Sequence, residues 1–167
     1  MHFRLEQRFD APVETVESAF VDPELLSHLA GFADLGHPEL LDQEIDGDIV
    51  RQRVKYRFTG DLSPALAAVV DRDHLTWVEE SELDRRTHCQ TFRIVPDHYG
   101  ERLRCSGTVT FEEGDGATLR IAESDLDVRF PLVGPTVART IVAGLIENAA
   151  AQEQAVAEWL SRRPQTS

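Results

Sequence analysis

The feature that most constrains this chain is a change of hydrophobic period near its C-terminus. From Leu132 to Leu160, the apolar residues Val133, Val137, Ile141, Leu145, Val156 and Leu160 recur at spacings of three to four, or multiples of them. The pattern predicts one amphipathic helix of about 28 residues, ~42 Å long at ~1.5 Å per residue. Pro131 and Pro135 flank its start. An apolar stripe of that length must be buried against another layer. The preceding residues supply one, because most of them alternate with period two.

Residues 2–9 place Phe3, Leu5 and Phe9 on one face and Arg4, Glu6 and Arg8 on the other, which reads as a half-buried strand. Asp10-Ala11-Pro12 then opens a short helix carrying Val13, Val16 and Phe20. Asp22-Pro23-Glu24 opens a second through Leu25, Leu26 and Leu29, ending near Gly31. From His37 the period returns to two. Leu41 and Ile45 are expected on the apolar face of one strand. Val50, Val54, Tyr56 and Phe58 follow on the next, across an Asp46-Gly47 turn that sets Leu41 opposite Gln52. Arg51, Arg53, Lys55 and Arg57 take the outer face. Thr59 to Pro64 breaks the strand, and Pro64 to Val70 crosses as a short helical or irregular segment.

Three hairpin-linked strands come next. Leu75, Trp77 and Leu83 share the inner face of the first, and Phe92 and Ile94 that of the second, after a turn at Asp84–Arg86. Leu103, Cys105, Val109 and Phe111 follow the Pro96–Gly100 turn, which places Cys89 near position 107. A three-residue turn at Gly114-Asp115-Gly116 leads into Leu119 and Ile121. Leu126, Val128 and Phe130 then fall on the opposite parity, which implies a bulge near Ser124-Asp125. Gly107 and Gly144 are expected at packing positions.

Composition narrows the function. The chain carries 30 acidic against 17 basic residues, a net charge of −13. A nucleic-acid or anionic-membrane surface calls for the opposite balance. Lys55 is the only lysine. No apolar run reaches transmembrane length, and MHFRLEQRFD lacks the apolar core of a signal peptide, so a cytoplasmic location is expected. Two cysteines are too few for a disulfide scaffold or a cysteine zinc site. Parity turns Cys105 inward and Cys89 outward, so no bridge is expected. The histidines have no i,i+4 pair or HExxH, and no GxSxG or glycine-rich phosphate loop occurs. No metal or cofactor is implied. Residues 1–161 are expected to form a single domain, with 162–167 as a frayed tail.

Phe9-Asp10-Ala11-Pro12-Val13-Glu14-Thr15-Val16, then Phe20-Val21-Asp22-Pro23-Glu24, and finally the glycine- and proline-flanked terminal helix together resemble the START-like superfamily, which includes Bet v 1 allergens and polyketide cyclases. Arg53–Phe58 and Leu75–Ser81 are similar to a narrower, uncharacterised bacterial branch of it. The resemblance implies an α+β helix-grip fold: a curved antiparallel sheet of six to seven strands, two short helices after the first strand, and the long helix across the sheet. Members of the superfamily bind or carry lipids, sterols and polyketides; some catalyse cyclisation or dehydration, and others bind proteins. The resemblance brings no catalytic signature, and fold alone does not choose among these.

Polar residues turned inward would orient a ligand in such a cup. Alternation points Gln52 and Tyr56 inward, then Glu79 and Ser81 between Trp77 and Leu83, then His88 and Gln90 before Phe92. Glu123 falls opposite Gly107, also inward. With Val109 and the helix residues Val137, Ile141 and Leu145, these make the expected ligand-binding set. Each polar member also has a plainer reading, as a solvated residue at a strand end or the open rim. Glu79 is the sharpest case, because a carboxylate in that cup needs a partner or a raised pKa, and His88 or an arginine is the expected partner. A one-residue slip would instead expose Glu79 and Ser81 and bury Val78.

Three functions compete. The first is a binding protein or carrier for an apolar small molecule between sheet and helix. The second is a cyclase- or dehydratase-type enzyme using Glu79 and His88 as acid and base. The third is a ligand-free interaction module. A homodimer through a sheet edge is compatible with all three.

Overall fold

The computed structural model describes residues 1–29 and 34–163. Strand β1 (His2–Phe9) leads into α1 (Val13–Phe20) and α2 (Pro23–His28). Pro12 and Pro23 stand at the two helix starts, and the Asp22 side chain caps α2 by accepting from the Glu24 N–H at 2.9 Å. The expected end near Gly31 lies outside the described residues. Strands β2 (Glu39–Asp46) and β3 (Ile49–Arg57) form a hairpin, followed by the short α3 (Pro64–Ala67) and a 3₁₀ turn at Arg72–His74. Strands β4 (Thr76–Asp84), β5 (Cys89–Pro96), β6 (Leu103–Gly114) and β7 (Ala117–Val128) meander into α4 (Gly134–Ser161). All seven strands pair antiparallel in the order β1-β7-β6-β5-β4-β3-β2. The α+β helix-grip architecture expected from the sequence is the one found.

Three registers differ from expectation. The β2–β3 turn centres on Gly47 (φ 59°) and Asp48, one residue later than expected, so Gln43 rather than Leu41 faces Gln52. A bulge between Leu40 and Asp42 then turns Leu41 outward, and Leu41 and Ile45 are 39% and 62% exposed. The β6–β7 turn holds two residues, Asp115 (φ 54°) and Gly116 (φ 75°), not three. Left-handed backbone at both central positions suits the twist of a tight hairpin. Dropping one turn residue moves β7 to the other parity. Thr118, Arg120, Ala122, Ser124 and Leu126 therefore face inward, while Leu119, Ile121 and Glu123 face outward. No bulge is needed at Ser124-Asp125, and β7 stays in register with β6 throughout. Finally, the long Asp97–Arg102 loop sets Cys89 opposite Thr110 rather than near position 107. Cys105 faces inward beside Ile94, and both thiols are free.

Gly107 is a requirement of close approach. A Cβ there would lie 2.1 Å from the Glu123 carbonyl oxygen on β7. Gly144 is not a packing position: it is exposed, with open space around it.

The core has two parts. Phe9, Val16, Leu25, Leu83 and Phe111 join Val156 of α4 in the larger cluster, with Trp159 and Leu160 packed against it. The Thr118 hydroxyl, fully buried, fastens the start of α1 by donating to the Ala11 carbonyl at 2.7 Å. Val70, Phe130 and Val137 form the smaller cluster near the start of α4, with Ile141 against it. The stretch from Ile141 to Val156, ~22 Å of helix, contributes no fully buried side chain between its ends. Arg163, in the expected tail, lies 4.0 Å over the Trp159 ring and pairs with Glu24 at 2.6 Å. Residues 164–167 lie outside the described residues.

The divided core sets unequal costs along the helix and sheet. Leu83→Ala should lower the unfolding free energy by ~2–5 kcal/mol, as for a fully buried leucine. Leu145→Ala, over the gap, should cost ~1 kcal/mol. Gly107→Ala should cost ~1–3 kcal/mol through overpacking alone. Urea unfolding midpoints check all three, and equal losses at Leu83 and Leu145 would contradict the divided core.

Candidate functional site

Between the two apolar clusters lies the inner face of β3 to β6. Trp77, Glu79 and Ser81 of β4, Phe92 and Ile94 of β5, and Cys105 of β6 are all only half-buried. Their neighbours Val54 and Val109 are 4% and 2% exposed, so poor coverage is not general to this sheet. Tyr56 stacks on Trp77 with ring centroids 5.9 Å apart. Tyr56 and Glu79 are strongly desolvated, yet they keep accessible surface. Helix α4 packs against the sheet mainly over β1 and β7. A small cleft of ≈ 30 Å³ between α2, β3 and α4 is bordered by Leu29, Pro38, Tyr56, Asn148 and Gln152.

The polar groups of this interior are tied unevenly. Arg120 Nη1 donates to Gln7 Oε1 at 2.7 Å. Gln7, 2% exposed, donates its amide N–H groups to the Ala149 carbonyl at 2.8 Å and to Gln152 Oε1 at 3.0 Å, both on α4. The Arg120 guanidinium lies 4.3 Å from the Phe20 ring centroid and 5.8 Å from that of Phe111. Its Nε is buried without a hydrogen-bond partner. Burial lowers its pKa to about 10, against the pull of Glu79 and Tyr56, so it remains a cation at neutral pH. Burial pushes the Glu79 carboxyl up, with Arg120 pulling it down. Burial likewise raises the Tyr56 phenol, and takes the Cys105 thiol up to about 11, with Glu79 and Asp125 adding to it. Among the described residues, no hydrogen bond or ion pair joins Glu79 to any of these groups.

The remaining expected site residues divide by position. Gln52, 5% exposed, is structural: its Nε2 donates to the Val21 carbonyl at 3.0 Å, beside a matching bond from Gln43 at 2.7 Å. Gln90 is half-buried opposite Leu83 and Val109, and Val109 belongs to the larger apolar cluster. Val137 is buried in the smaller cluster, while Ile141 and Leu145 are half-buried above the open region. Val78 is buried on the outer side, but Glu79 lies opposite Val54 and Ile94 of the inner face, so the one-residue slip does not occur.

Two expectations are corrected. Glu123 faces outward and pairs with Arg4 at 3.0 Å, a consequence of the two-residue turn. His88 is not the partner of Glu79. It sits in the β4–β5 turn with φ 54°, and its Nδ1 is 2.7 Å from Oε1 of Glu17 on α1. Glu79 instead faces Ile94, six positions beyond His88 and ~20 Å along the strand. Glu17 is 1% exposed, and its carboxyl is pushed up by burial and drawn back by His88. Arg120, Gln7 and Glu17 are among the interior polar residues that sequence reasoning missed, with Thr118 and Ser124 of β7. Gln7 was legible, since it shares the parity of Leu5 and Phe9. Arg120 was legible only with the two-residue turn, whose sign is Asp115-Gly116 itself.

Sheet and helices together define a helix-grip fold. Within that class, residues 4–160 match the family described as protein of unknown function DUF2505, and the chain belongs to that family. No curated protein matches it. Solved structures share the fold at low identity. TTHA0849 from Thermus thermophilus is 19% identical with a TM-score of 0.67, covering 96% of this chain and 97% of its own. The Zhui aromatase/cyclase from Streptomyces sp. R1128 is 19% identical with a TM-score of 0.65, over 98% and 94%. Norcoclaurine synthase from Thalictrum flavum is 14% identical with a TM-score of 0.58, over 98% and 87%. Among the described residues, no helix is long and apolar enough to cross a membrane.

Two measurements check the site's electrostatics. The folded-state pKa of Glu79 is raised, so the folded protein is favoured where that carboxyl is protonated and loses stability as pH rises through the folded value. Glu79→Gln should therefore raise the melting temperature at pH 8, and the gain should vanish below about pH 4.5, the ordinary glutamate value. Double-mutant cycles should show coupling of more than ~0.5 kcal/mol between His88→Ala and Glu17→Gln, and less than ~0.5 kcal/mol between His88→Ala and Glu79→Gln.

Proposed function

We propose that this protein binds an apolar small molecule, of lipid-like or polyketide-like character, in the cup between the sheet and α4. The observation that carries this reading is the interruption of the core. Apolar clusters hold α4 at both ends, while Trp77, Phe92, Ile94, Ile141 and Leu145 keep accessible surface between them. A protein with no use for that space would gain stability by filling it, since each buried aliphatic side chain contributes ~1.5–3 kcal/mol. The shared fold adds coarse support, because one relative is named as an aromatase/cyclase and another as norcoclaurine synthase.

The enzyme reading built on Glu79 and His88 loses its geometry, since those groups lie at different places along the sheet. The interaction-module reading finds little support either. Of the large exposed apolar residues Met1, Leu41, Ile45, Val69, Val95, Leu132 and Ile146, only Leu41 and Ile45 share an element.

Native mass spectrometry of the purified protein, followed by solvent extraction, tests the proposal. A retained apolar compound is expected. Ile141→Trp should expel it with little change in melting temperature. A ligand-free mass, together with a loss of ~1–3 kcal/mol in Ile141→Trp, would mean that the space is already filled.

A further inference from the structure

Arg120 says what kind of molecule the cup takes. A guanidinium carries five N–H donors, and burying one without matching acceptors is expensive. Among the described residues, the hydrogen bond from Nη1 to Gln7 at 2.7 Å is the only one it makes. Nε is buried and bare. The Phe20 face at 4.3 Å steadies the positive charge but accepts no hydrogen bond.

The surrounding groups do not neutralise it. Gln7 supplies an uncharged oxygen and spends its amide N–H groups on Ala149 and Gln152 of α4. Glu79 is within electrostatic reach, yet it forms neither a hydrogen bond nor an ion pair with Arg120 among the described residues. Burial pushes that carboxyl up and Arg120 draws it down, so the two act on each other through space without a bond. Tyr56 is held neutral by burial. The interior thus holds one guanidinium that has no bonded counter-ion and donors left unmet among the described residues. A neutral apolar occupant would strip the remaining water from Arg120 and return nothing. An occupant with an anionic oxygen would form charge-assisted bonds in a place where water competes weakly.

Building on the small-molecule reading, we infer that the ligand is an amphipathic acid: an apolar body bearing one carboxylate or ionised phenol, with the acid group on Arg120. The body extends from Arg120 past Trp77 and Phe92 toward Ile141 and the smaller apolar cluster.

The test compares two probes that share one apolar body and differ in charge at the head group: 11-(dansylamino)undecanoic acid and its methyl ester. Dansyl fluorescence is titrated at pH 7.5 with the full-length protein. The acid should bind about ten-fold tighter or more, the scale of one charge-assisted hydrogen bond. Arg120→Gln should bring the acid down to the affinity of the ester. Glu79→Gln, which removes a competing carboxyl, should leave the preference for the acid intact or larger. If Arg120→Gln does not fold, the acid-to-ester ratio of the unmodified protein decides alone. Equal binding of acid and ester overturns the inference and leaves the small-molecule reading standing; no binding of either counts against both. Displacement of the bound acid by dodecanoate assigns an aliphatic body, and by 3-hydroxy-2-naphthoate a fused-ring one. Displacement by neither overturns the inference.

Discussion

The two-point attachment of α4 is the constraint on which the rest of this structure depends. Val156, with 0% exposure, locks one end of the helix into the larger apolar cluster. Val137 holds the other against Val70 and Phe130. The helix has no side-chain N-cap, and its first and last turns carry no charges to complement its dipole. Tertiary packing at the ends therefore holds it in place. Between those ends the middle of α4 is tied to β1 by hydrogen bonds from Gln7 and contributes no fully buried side chain. The inner face of β3 to β6 is released from core packing, and polar side chains can stand there.

Charge is arranged differently on the two sides of the sheet. On the outer face, Arg51 meets Glu82 at 2.8 Å, Arg53 meets Asp42 at 2.9 Å, and Arg93 meets Glu80 at 2.6 Å. These pairs are solvated and contribute little to stability. Inside, one arginine stands without an ionic partner among the described residues, in a chain whose net charge is −13. Surface charge is screened over ~8 Å at physiological salt, whereas a buried cation is not. The excess of acid outside thus acts on the solvated surface without setting the field at Arg120.

How far the sequence was legible follows from which physical signals are local. The order of elements, the terminal helix and the paired helix starts are written in period, proline and capping residues, and all were found. Registers are less local. In Gly114-Asp115-Gly116, either a two- or a three-residue turn is consistent with the glycines, and one residue exchanges Arg120 for Glu123 inside the cup. Alternation did not decide between them, because both faces of β7 carry apolar residues: Ile121 faces outward yet is only 6% exposed. His88 defeats alternation for another reason. Its left-handed backbone takes it out of the strand, and its partner Glu17 lies on an α1 turn far away in sequence. Leu41 was lost to a bulge, which no pattern of residue types marks.

The identity of residue 7 ties these strands together. Its position on β1 places it opposite Arg120 on β7 and beneath α4. A glutamate there would pair with Arg120 and neutralise it within the protein. It would also lack the amide N–H groups that reach Ala149 and Gln152. Glutamine does the reverse: it orients the guanidinium, binds the helix, and leaves the charge without a bonded counter-ion. The same side chain thus joins the architecture of α4 to the electrostatics of the cup. A glutamate would supply the counter-charge from β1 itself; the glutamine holds the cation in position and leaves that charge to be brought from outside.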